Sequence, residues 1–527
     1  MAIVPTQFAR VSTGMQTDLV RRSILRTQQS LLEAQQQIST GRKLTVPSQS
    51  PADASAAMRL RKALETQETY AANLRHAAAQ MGAADTALEE LSDVLRQALQ
   101  IASANASSTV SADERTAAAT VVSSLYNRAM DIANRQSSGM YLFAGDGGGE
   151  APYAAELGGV RWRGSEQVLA NRYGDGAALA FMVDGTAVFG GASDPAGTPA
   201  DLSPRATADT RLGDLAGARG EGVSRGTISI SDGSTTAIID LSSAETLGDV
   251  ISAINSAGVG GIAASLAADG MRLELAAGSS GRIVVRDVTG TAAADLGIVT
   301  DASPGAGVSV EGEPLNARVT PLTLLADLRG GSGLDLSGFT IVNGPAQAQI
   351  SLSGARTVED LLNAINASGT GAAASIGADG RSIVVRNTVQ GSTMTVAEGS
   401  GQTASQLGMV ETAGVSADGV FAGLGALRDA LVHSDIAGIT AAAEMIQQRL
   451  DACIRVRGEA AAQAQDFDAR ATRLEDEKTA MQALLSNVEE ADLTEAIVRF
   501  QTLQNALQAS VQTAGHVLNM SLLDFLD

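Results

Sequence analysis

Apolar residues recur at both ends of the chain at alternating spacings of four and three. Near the start, Val20, Ile24, Thr27, Leu31, Ala34 and Ile38 form one such stripe, the a/d pattern of a helix in a coiled coil. Gly41 predicts its end, and Pro47 and Pro51 forbid continuation through the next loop. A second helix is expected from near Ala52. Leu60, Leu64, Gln67, Ala71, Leu74, Ala78, Met81, Asp85, Leu88, Ser92, Leu95, Leu99 and Ala102 keep the rhythm, and such a rod would be roughly 70 Å long at about 1.5 Å per residue. Propensity alone does not hold so long a helix, so its stripe must be buried. Gln67, Asp85 and Ser92 interrupt the seam and are candidates for fixing its register. Ser111-Ala112-Asp113-Glu114 reads as a capping box opening a third helix that runs to about Arg135.

The other end mirrors this pattern. A helical stretch from Ile436 to about Leu485 holds Leu450, Ile454 and Arg457, with charges gathered between Asp466 and Lys478. The last helix carries the seam Leu493, Ile497, Phe500, Gln504, Leu507, Val511, Ala514, Leu518, Ser521 and Phe525. Both helical ends need partners, and each is the natural partner of the other.

Between them the period changes. Gly, Ser, Thr and Val dominate from about 140 to 412, and short alternating runs predict strands. The middle repeats itself. Asp249-Val250-Ile251-Ser252-Ala253-Ile254-Asn255 returns 111 residues later as Asp360-Leu361-Leu362-Asn363-Ala364-Ile365-Asn366. Asp269-Gly270, Leu273-Glu274-Leu275 and Leu296-Gly297 match Asp379-Gly380, Ile383-Val384-Val385 and Leu407-Gly408. Each copy reads strand, short helix, strand, turn, strand. In the first, Thr227 to Ile230 and Ala237 to Leu241 are expected strands. Thr246 to Ser256 is an expected helix with Leu247, Val250, Ile251 and Ile254 on one face, and Asp269-Gly270 is a hairpin turn.

Composition narrows the chemistry. The 527 residues are 44 % hydrophobic but only 3 % aromatic, which favours close-packed helices and thin sheets over bulky aromatic cores. A net charge of -21 repels phosphate backbones, so nucleic acid is not an expected partner. No run approaches the roughly 20 apolar residues that span a bilayer, and Met1 to Arg10 lacks the apolar core of a signal peptide. The single Cys453 forbids a disulfide within the chain and reads as a buried apolar helix residue.

Catalytic constellations are missing from the pattern. His76, His433 and His516 are far apart, whereas metal sites need grouped ligands. Gly145 to Gly149 lacks the Lys-Ser/Thr of a phosphate loop and reads as an exit from the helical region. The pairs Glu89-Glu90 and Glu489-Glu490 read as solvated helix faces, and Trp162 as a strand residue covering a small β core. The Asp-Gly turns lack the acidic spacing of a calcium loop. No catalytic, cofactor-binding or metal-binding residue is assigned, and the chain is read as a structural protein.

Four segments resemble one family. Gln37-Ile38-Ser39-Thr40-Gly41-Arg42-Lys43-Leu44, with Pro47-Ser48 and Pro51-Ala52-Asp53-Ala54, is similar to the turn between the first two helices of the flagellin superfamily. Gln49-Ser50 stands where that family often has two Asp residues. Ser111-Ala112-Asp113-Glu114-Arg115 resembles its connector before the third helix. Gly139-Met140-Tyr141-Leu142-Phe143-Ala144-Gly145, and the closing Ser521-Leu522-Leu523-Asp524-Phe525-Leu526, resemble the flagellar hook-associated protein 3 family of hook–filament junction proteins more than flagellin. Ile254-Asn255 and Ile365-Asn366 resemble the flagellin hook IN motif.

The resemblance implies that the terminal helices pair in the inner layers of a tubular assembly while the middle projects outward. It implies neighbouring hook-associated and flagellin subunits as partners and an export chaperone at the C-terminal helix. It also implies export by the flagellar type III route to the cell exterior without a cleaved signal peptide. The expected fold is therefore multidomain, mixed α and α/β. Residues 1–145 and 413–527 are the helical halves of one core. Residues 146–222 are a β-rich outer segment, 223–300 and 335–412 the two repeats, and 301–334 a linker. Flagellin of the filament itself, or a flagellum-borne adhesin acting through the repeats, are the alternatives.

Overall fold

The computed structural model describes residues 13–523 apart from 44, 45, 47, 49, 148, 166, 168 and 174–177. Leu44, Pro47 and Gln49 of the expected turn, and Asp524, Phe525 and Leu526 of the expected closing segment, lie outside the described residues. So do the side chains of His516, Leu518 and Ser521.

The fold mixes long terminal helices with several small sheets. Three helices come first: α1 (Thr13–Thr40), α2 (Pro51–Asn105) and α3 (Ala112–Ala133). Gly41 has φ +67° and its amide bonds back to Gln37 O, so α1 stops in the left-handed turn its sequence predicts. Pro51 takes the first position of α2, where its missing amide hydrogen costs nothing. Ser111 and Glu114 form the expected capping box of α3.

Short hairpins follow. β1 (Gln136–Ser137) pairs with β2 (Met140–Tyr141), β3 (Tyr153–Glu156) with β4 (Gly159–Trp162), and β5 (Ala170–Arg172) with β6 (Ala178–Ala180), ahead of the short helix α4 (Gly185–Phe189).

The first central module comprises β7 (Thr227–Ser231), β8 (Thr236–Asp240), α5 (Leu247–Ser256), β9 (Ala263–Leu266), β10 (Arg272–Ala276), β11 (Ile283–Thr289), α6 (Ala292–Asp295), β12 (Thr300–Ala302) and β13 (Ser309–Pro314). The second comprises β14 (Phe339–Asn343), β15 (Ala346–Ile350), α7 (Val358–Asn366), β16 (Ala372–Ile376), β17 (Ile383–Asn387), β18 (Val389–Gln390), β19 (Thr393–Glu398), α8 (Thr403–Gln406) and β20 (Glu411–Ser416). The closing helices are α9 (Val420–Val432), α10 (Ile436–Glu489) and α11 (Leu493–Leu523).

The chain divides into two compact units. One holds the residues up to Ala79, Ala170–Phe181 and those from Ala462 onward. The other holds Gln80–Leu169 and Met182–Ala461. The long helices α2 and α10 each supply residues to both.

The modules, both in the second unit, share one plan. Their four-stranded antiparallel sheets run β12-β11-β7-β8 and β20-β19-β14-β15. In each, the helix buries an apolar stripe, Leu247, Val250 and Ile254 on α5 and Val358, Leu361 and Ile365 on α7. Both helices open with the same capping box, Thr246 with Asp249 and Thr357 with Asp360. Near their ends the two IN asparagines make the same pair of bonds. Asn255 exchanges amide bonds with the main chain of Ala264, and Asn366 with that of Ala374, imitating one rung of a ladder.

Residues expected as a linker, 301–334, hold core positions. Leu315 and Ala317 pack in the first module's core, and Val319, Leu325 and Leu328 in the second's. These residues follow neither helix nor strand period, because they sit in irregular chain, in an isolated bridge at Ala317 and in a single 3-10 turn at Leu325–Asp327, so periodicity misses them. Because both capping boxes do the same work, Thr246→Ala and Thr357→Ala are each expected to cost about 1 kcal/mol. Denaturant titration followed by far-UV circular dichroism checks that equivalence.

Candidate assembly surface

In the first unit α1 and α11 pack along one another. Gly41 O accepts from Ala491 N at 3.0 Å, so the end of α1 meets the start of α11 and the two run antiparallel. The predicted stripe of α1 is the one used, with Ala34 buried and Val20, Ile24, Thr27, Leu31 and Ile38 half-buried. On α11 the covered stripe is Ala496, Phe500, Leu503, Leu507, Ser510 and Ala514. This corrects the predicted seam: Phe500, Leu507 and Ala514 belong to it, but Leu493, Ile497 and Val511 are exposed, Val511 by 54 %. The reason is geometric. Ile497 and Val511 lie one residue from Ala496 and Ser510 of the covered stripe, about 100° around the helix, and a single partner helix covers only one side, whereas Leu493 keeps the stripe's spacing and is exposed at the first position of α11. The same displacement recurs on α1, where Leu25 and Leu32 follow Ile24 and Leu31 and are 56 % and 55 % exposed.

Pairing of α2 with α10 follows the polar interruptions. In the first unit Gln67 Nε2 donates to Glu477 Oε2 at 2.9 Å, Arg75 meets Glu475 at 3.1 Å and Lys478 meets Glu68 at 3.5 Å. In the second, Arg457 bridges Asp85 at 2.8 Å and Glu89 at 3.1 Å, and Ser92 Oγ lies 3.3 Å from Cys453 Sγ. Numbers rise along α2 as they fall along α10, so the pair is antiparallel. All three interruptions of the α2 seam thus meet α10 side chains that only one register provides. Cys453 is fully buried against Leu88 O, and burial pushes its thiol up.

The second unit concentrates the scarce aromatics. Phe143 stacks edge-on with Phe189 at 5.0 Å, and Tyr153 sits 5.4 Å from Phe189 and 5.6 Å from Phe421. The Gly139-to-Gly145 segment supplies Leu142, Phe143 and Ala144 to this core. Gly145 has φ +65°, and a Cβ there would lie 2.1 Å from Ser165 O, which is why glycine ends the segment. Gln390, in the second module, is buried in the same place. Its Nε2 donates to Phe189 O and Gly190 O, both at 3.0 Å, and its Oε1 accepts from Phe421 N at 3.1 Å. With β18 paired to β4, the second module is joined to the helical part of this unit through main chain and side chain together.

Residues 11–147 match the family model of the bacterial flagellin N-terminal helical region. The chain carries a flagellin-type N-terminal region. Its sequence is also 25 % identical over 181 residues to flagellar hook-associated protein 3 of Salmonella typhimurium, covering 34 % of this chain and 56 % of that protein. Identity to flagellar hook-associated protein 3 of Escherichia coli K12 is 27 % over 150 residues, covering 28 % and 47 %. The chain thus spans about half the length of the curated relatives it matches. The likeness expected from the turn, connector and junction-type motifs is borne out. Among solved structures, Xanthomonas campestris FlgL aligns at TM-score 0.36 and 15 % identity, over 81 % of this chain and 99 % of its own. The flagellar junction protein FlgL from Legionella pneumophila aligns at 0.32 and 13 %, over 83 % and 98 %.

The flagellin-type connector has a second task that sequence reading missed. Arg115, buried at the start of α3, donates to Asn105 O and Ser107 O and so satisfies carbonyls at the end of α2. Of the acidic pairs expected on solvated faces, Glu89 and Glu490 are exposed, and Glu90 and Glu489 are half-buried ion-pair partners. Glu90 receives two bonds from Arg135, at 2.8 and 2.7 Å, and Glu489 pairs with Arg61. Their partners lie 45 and 428 residues away, beyond any local pattern. His76 stacks near Phe181 at 5.9 Å, and His433 Nδ1 lies 2.8 Å from Asp429 O. Trp162 is half-buried in β4. Among the described residues no group of His, Cys, Asp or Glu could hold a metal ion, and no helix is long and apolar enough to cross a membrane.

Replacing Gln390 by Leu strands Phe189 O and Phe421 N, while Gly190 O keeps the Tyr153 hydroxyl, at about 1–3 kcal/mol for each group left unsatisfied. A calorimetric Tm well below that of the parent is the expected result. Bonds from Arg135 hold the Glu90 carboxyl below its usual value. That stabilisation is complete above the unfolded-state value of about 4.3 and is lost as pH falls through the lowered folded-state value. Glu90→Gln should therefore lower Tm at pH 7, with parent and variant converging in acid.

Proposed function

We propose that this chain is a structural subunit of the bacterial flagellum that joins hook and filament. One observation carries the reading: α1 and α11 each present a second apolar stripe outside their mutual contact, on a chain with a flagellin-type N-terminal region. Burying a Leu or Ile side chain is worth about 1.5–3 kcal/mol, so Leu25, Leu32, Ile497 and Val511 together are a strong drive for association. In this reading the α1–α11 and α2–α10 pairs act as coiled-coil seams, and neighbouring copies cover the second stripes in a tubular ring. Hook-associated and flagellin subunits flank that ring, and an export chaperone covers the C-terminal helix beforehand. Export runs by the flagellar type III route to the cell exterior, and the subunit has no catalytic role.

The central modules are read as a duplication. Shared strand order, capping boxes and IN asparagines support this. The module limits extend beyond 223–300 and 335–412, because residues of the 301–334 segment complete both cores. Helical residues 1–145 and 413–527 remain the inner core, with 146–222 as its outer β-rich part.

Immunogold labelling of cells tests the placement. A single band at the distal end of the hook is expected, and label along the whole filament would make the chain a filament flagellin instead. Deleting residues 507–527 should leave the modules folded and abolish incorporation. Normal filaments on cells carrying only the truncated form would overturn the role given to α11.

A further inference from the structure

The second module lacks a strand that the first one has. In the first, β13 runs antiparallel along the outer edge of β10, with Glu274 opposite Glu311 and Ala276 opposite Ser309. In the second, the chain leaving β20 turns into α9, and no strand follows to cover the same edge of β17. Residues 193–202, which precede the first module, lie there instead. Ser193 N donates to Asn387 O, Ala196 N to Val385 O and Leu202 N to Arg381 O, each at 2.8 Å, so this segment is also antiparallel. Asn387 N returns a bond to Ser193 Oγ at 2.9 Å, and Asp201 pairs with Arg381. Ala196 and Leu202 sit in the second module's core.

The two covering segments occupy equivalent places in the sequence. Leu202 N to Arg381 O is matched by Leu315 N to Met271 O, and two residues earlier Ala200 N donates to Leu407 O and Glu313 N to Gly297 O, acceptors one position apart in the aligned repeats. Just beyond them, Ser203 and Asn316 both have positive φ, at 30° and 49°. Then the bonds cross. Arg205 N donates to Asp327 O at 2.7 Å, and Arg318 N to Asp214 O at 2.8 Å. Such reciprocity, in which residue i meets j′ and j meets i′, is the mark of a two-fold relation. The cleft between the modules is lined by the same pairs, Arg205 with Arg318, Thr207 with Thr320 and Asp214 with Asp327.

We propose that the two modules form an intramolecular strand-exchanged pair: the segment leading into each module completes the sheet of the other. The inference rests on the modules being copies, and not on where the subunit sits in a flagellum. An uncovered strand edge invites pairing with another chain, and the exchange closes one such edge in each module from within. The occupant of the β17 edge is residues 193–202 of the same chain. The strand that covers the first module, β13, follows β10 by a short stretch, whereas residues 193–202 must wait for residues about 180 positions later. Non-local closure of that kind makes the second module the late-folding one.

The test uses the full chain and a crossed pair of variants. Ala196→Pro removes the amide that bonds Val385 O, and Glu313→Pro the amide that bonds Gly297 O. Hydrogen–deuterium exchange read by mass spectrometry should show Ala196→Pro lowering protection of 381–387 by about ten-fold or more while 272–276 keep theirs. Glu313→Pro should do the reverse. Loss in the module that directly follows each substitution, or equal loss in both, would overturn the exchange. The unmodified chain gives an independent reading should a variant fail to fold. The amides of Ser193, Ala196 and Leu202 should exchange together with β17, and exchange together with β10 would count against the proposal. Hook–filament placement is judged by labelling alone, so either conclusion can fail without the other.

Discussion

A helix of 54 or 55 residues is not stable in water unless a stripe along it is covered, and the rest of this molecule follows from how that cover is supplied. α2 and α10 cover each other, and each seam is pinned by polar pairs that only one register satisfies. α1 and α11 do the same with less to spare. Each has two apolar stripes about 100° apart, and their mutual contact uses one. What remains exposed is an apolar surface on each helix outside their mutual contact.

The central modules obey a different constraint. Small sheets have edges, and edges left open are sticky. Here they are managed by local and distant devices together. Each IN asparagine supplies one rung against the strand after its helix, and extended segments from elsewhere in the chain lie along β10 and β17. Attachment is equally definite. Gln390 places a buried amide among three main-chain groups of the aromatic core, and β18 adds its hydrogen bonds to β4. The second module is thus an extension of the helical part of its unit, with the first module docked on it through reciprocal bonds.

Much of this was legible beforehand because it is periodic or locally punctuated. Helix limits at Gly41, Pro51 and Ser111, the stripe from Val20 to Ile38, and both repeat helices followed from spacing and capping residues. The seam of α11 was misplaced because the predicted seam and the covered stripe share Phe500, Leu507 and Ala514, and periodicity cannot say on which flank of these a partner packs. Residues 301–334 looked like a linker, and 193–202 like part of a β-rich outer segment, because their order depends on strands far away and not on a pattern of their own. Arg115, Gln390 and the Arg135 partner of Glu90 were invisible for a related reason: a single polar residue reveals its role only when its partners are in place.

In the proposed function the second stripes of α1 and α11 are assembly surfaces. Hydroxyl-radical footprinting of the purified subunit and of hook–filament preparations tests it side chain by side chain. Leu25, Leu32, Ile497 and Val511 should be labelled in the free subunit and protected in the assembly, while Ile238 and Leu322 of the central modules, 70 % and 76 % exposed, stay labelled in both. Equal labelling of the four helix residues in the free and assembled states would contradict the account.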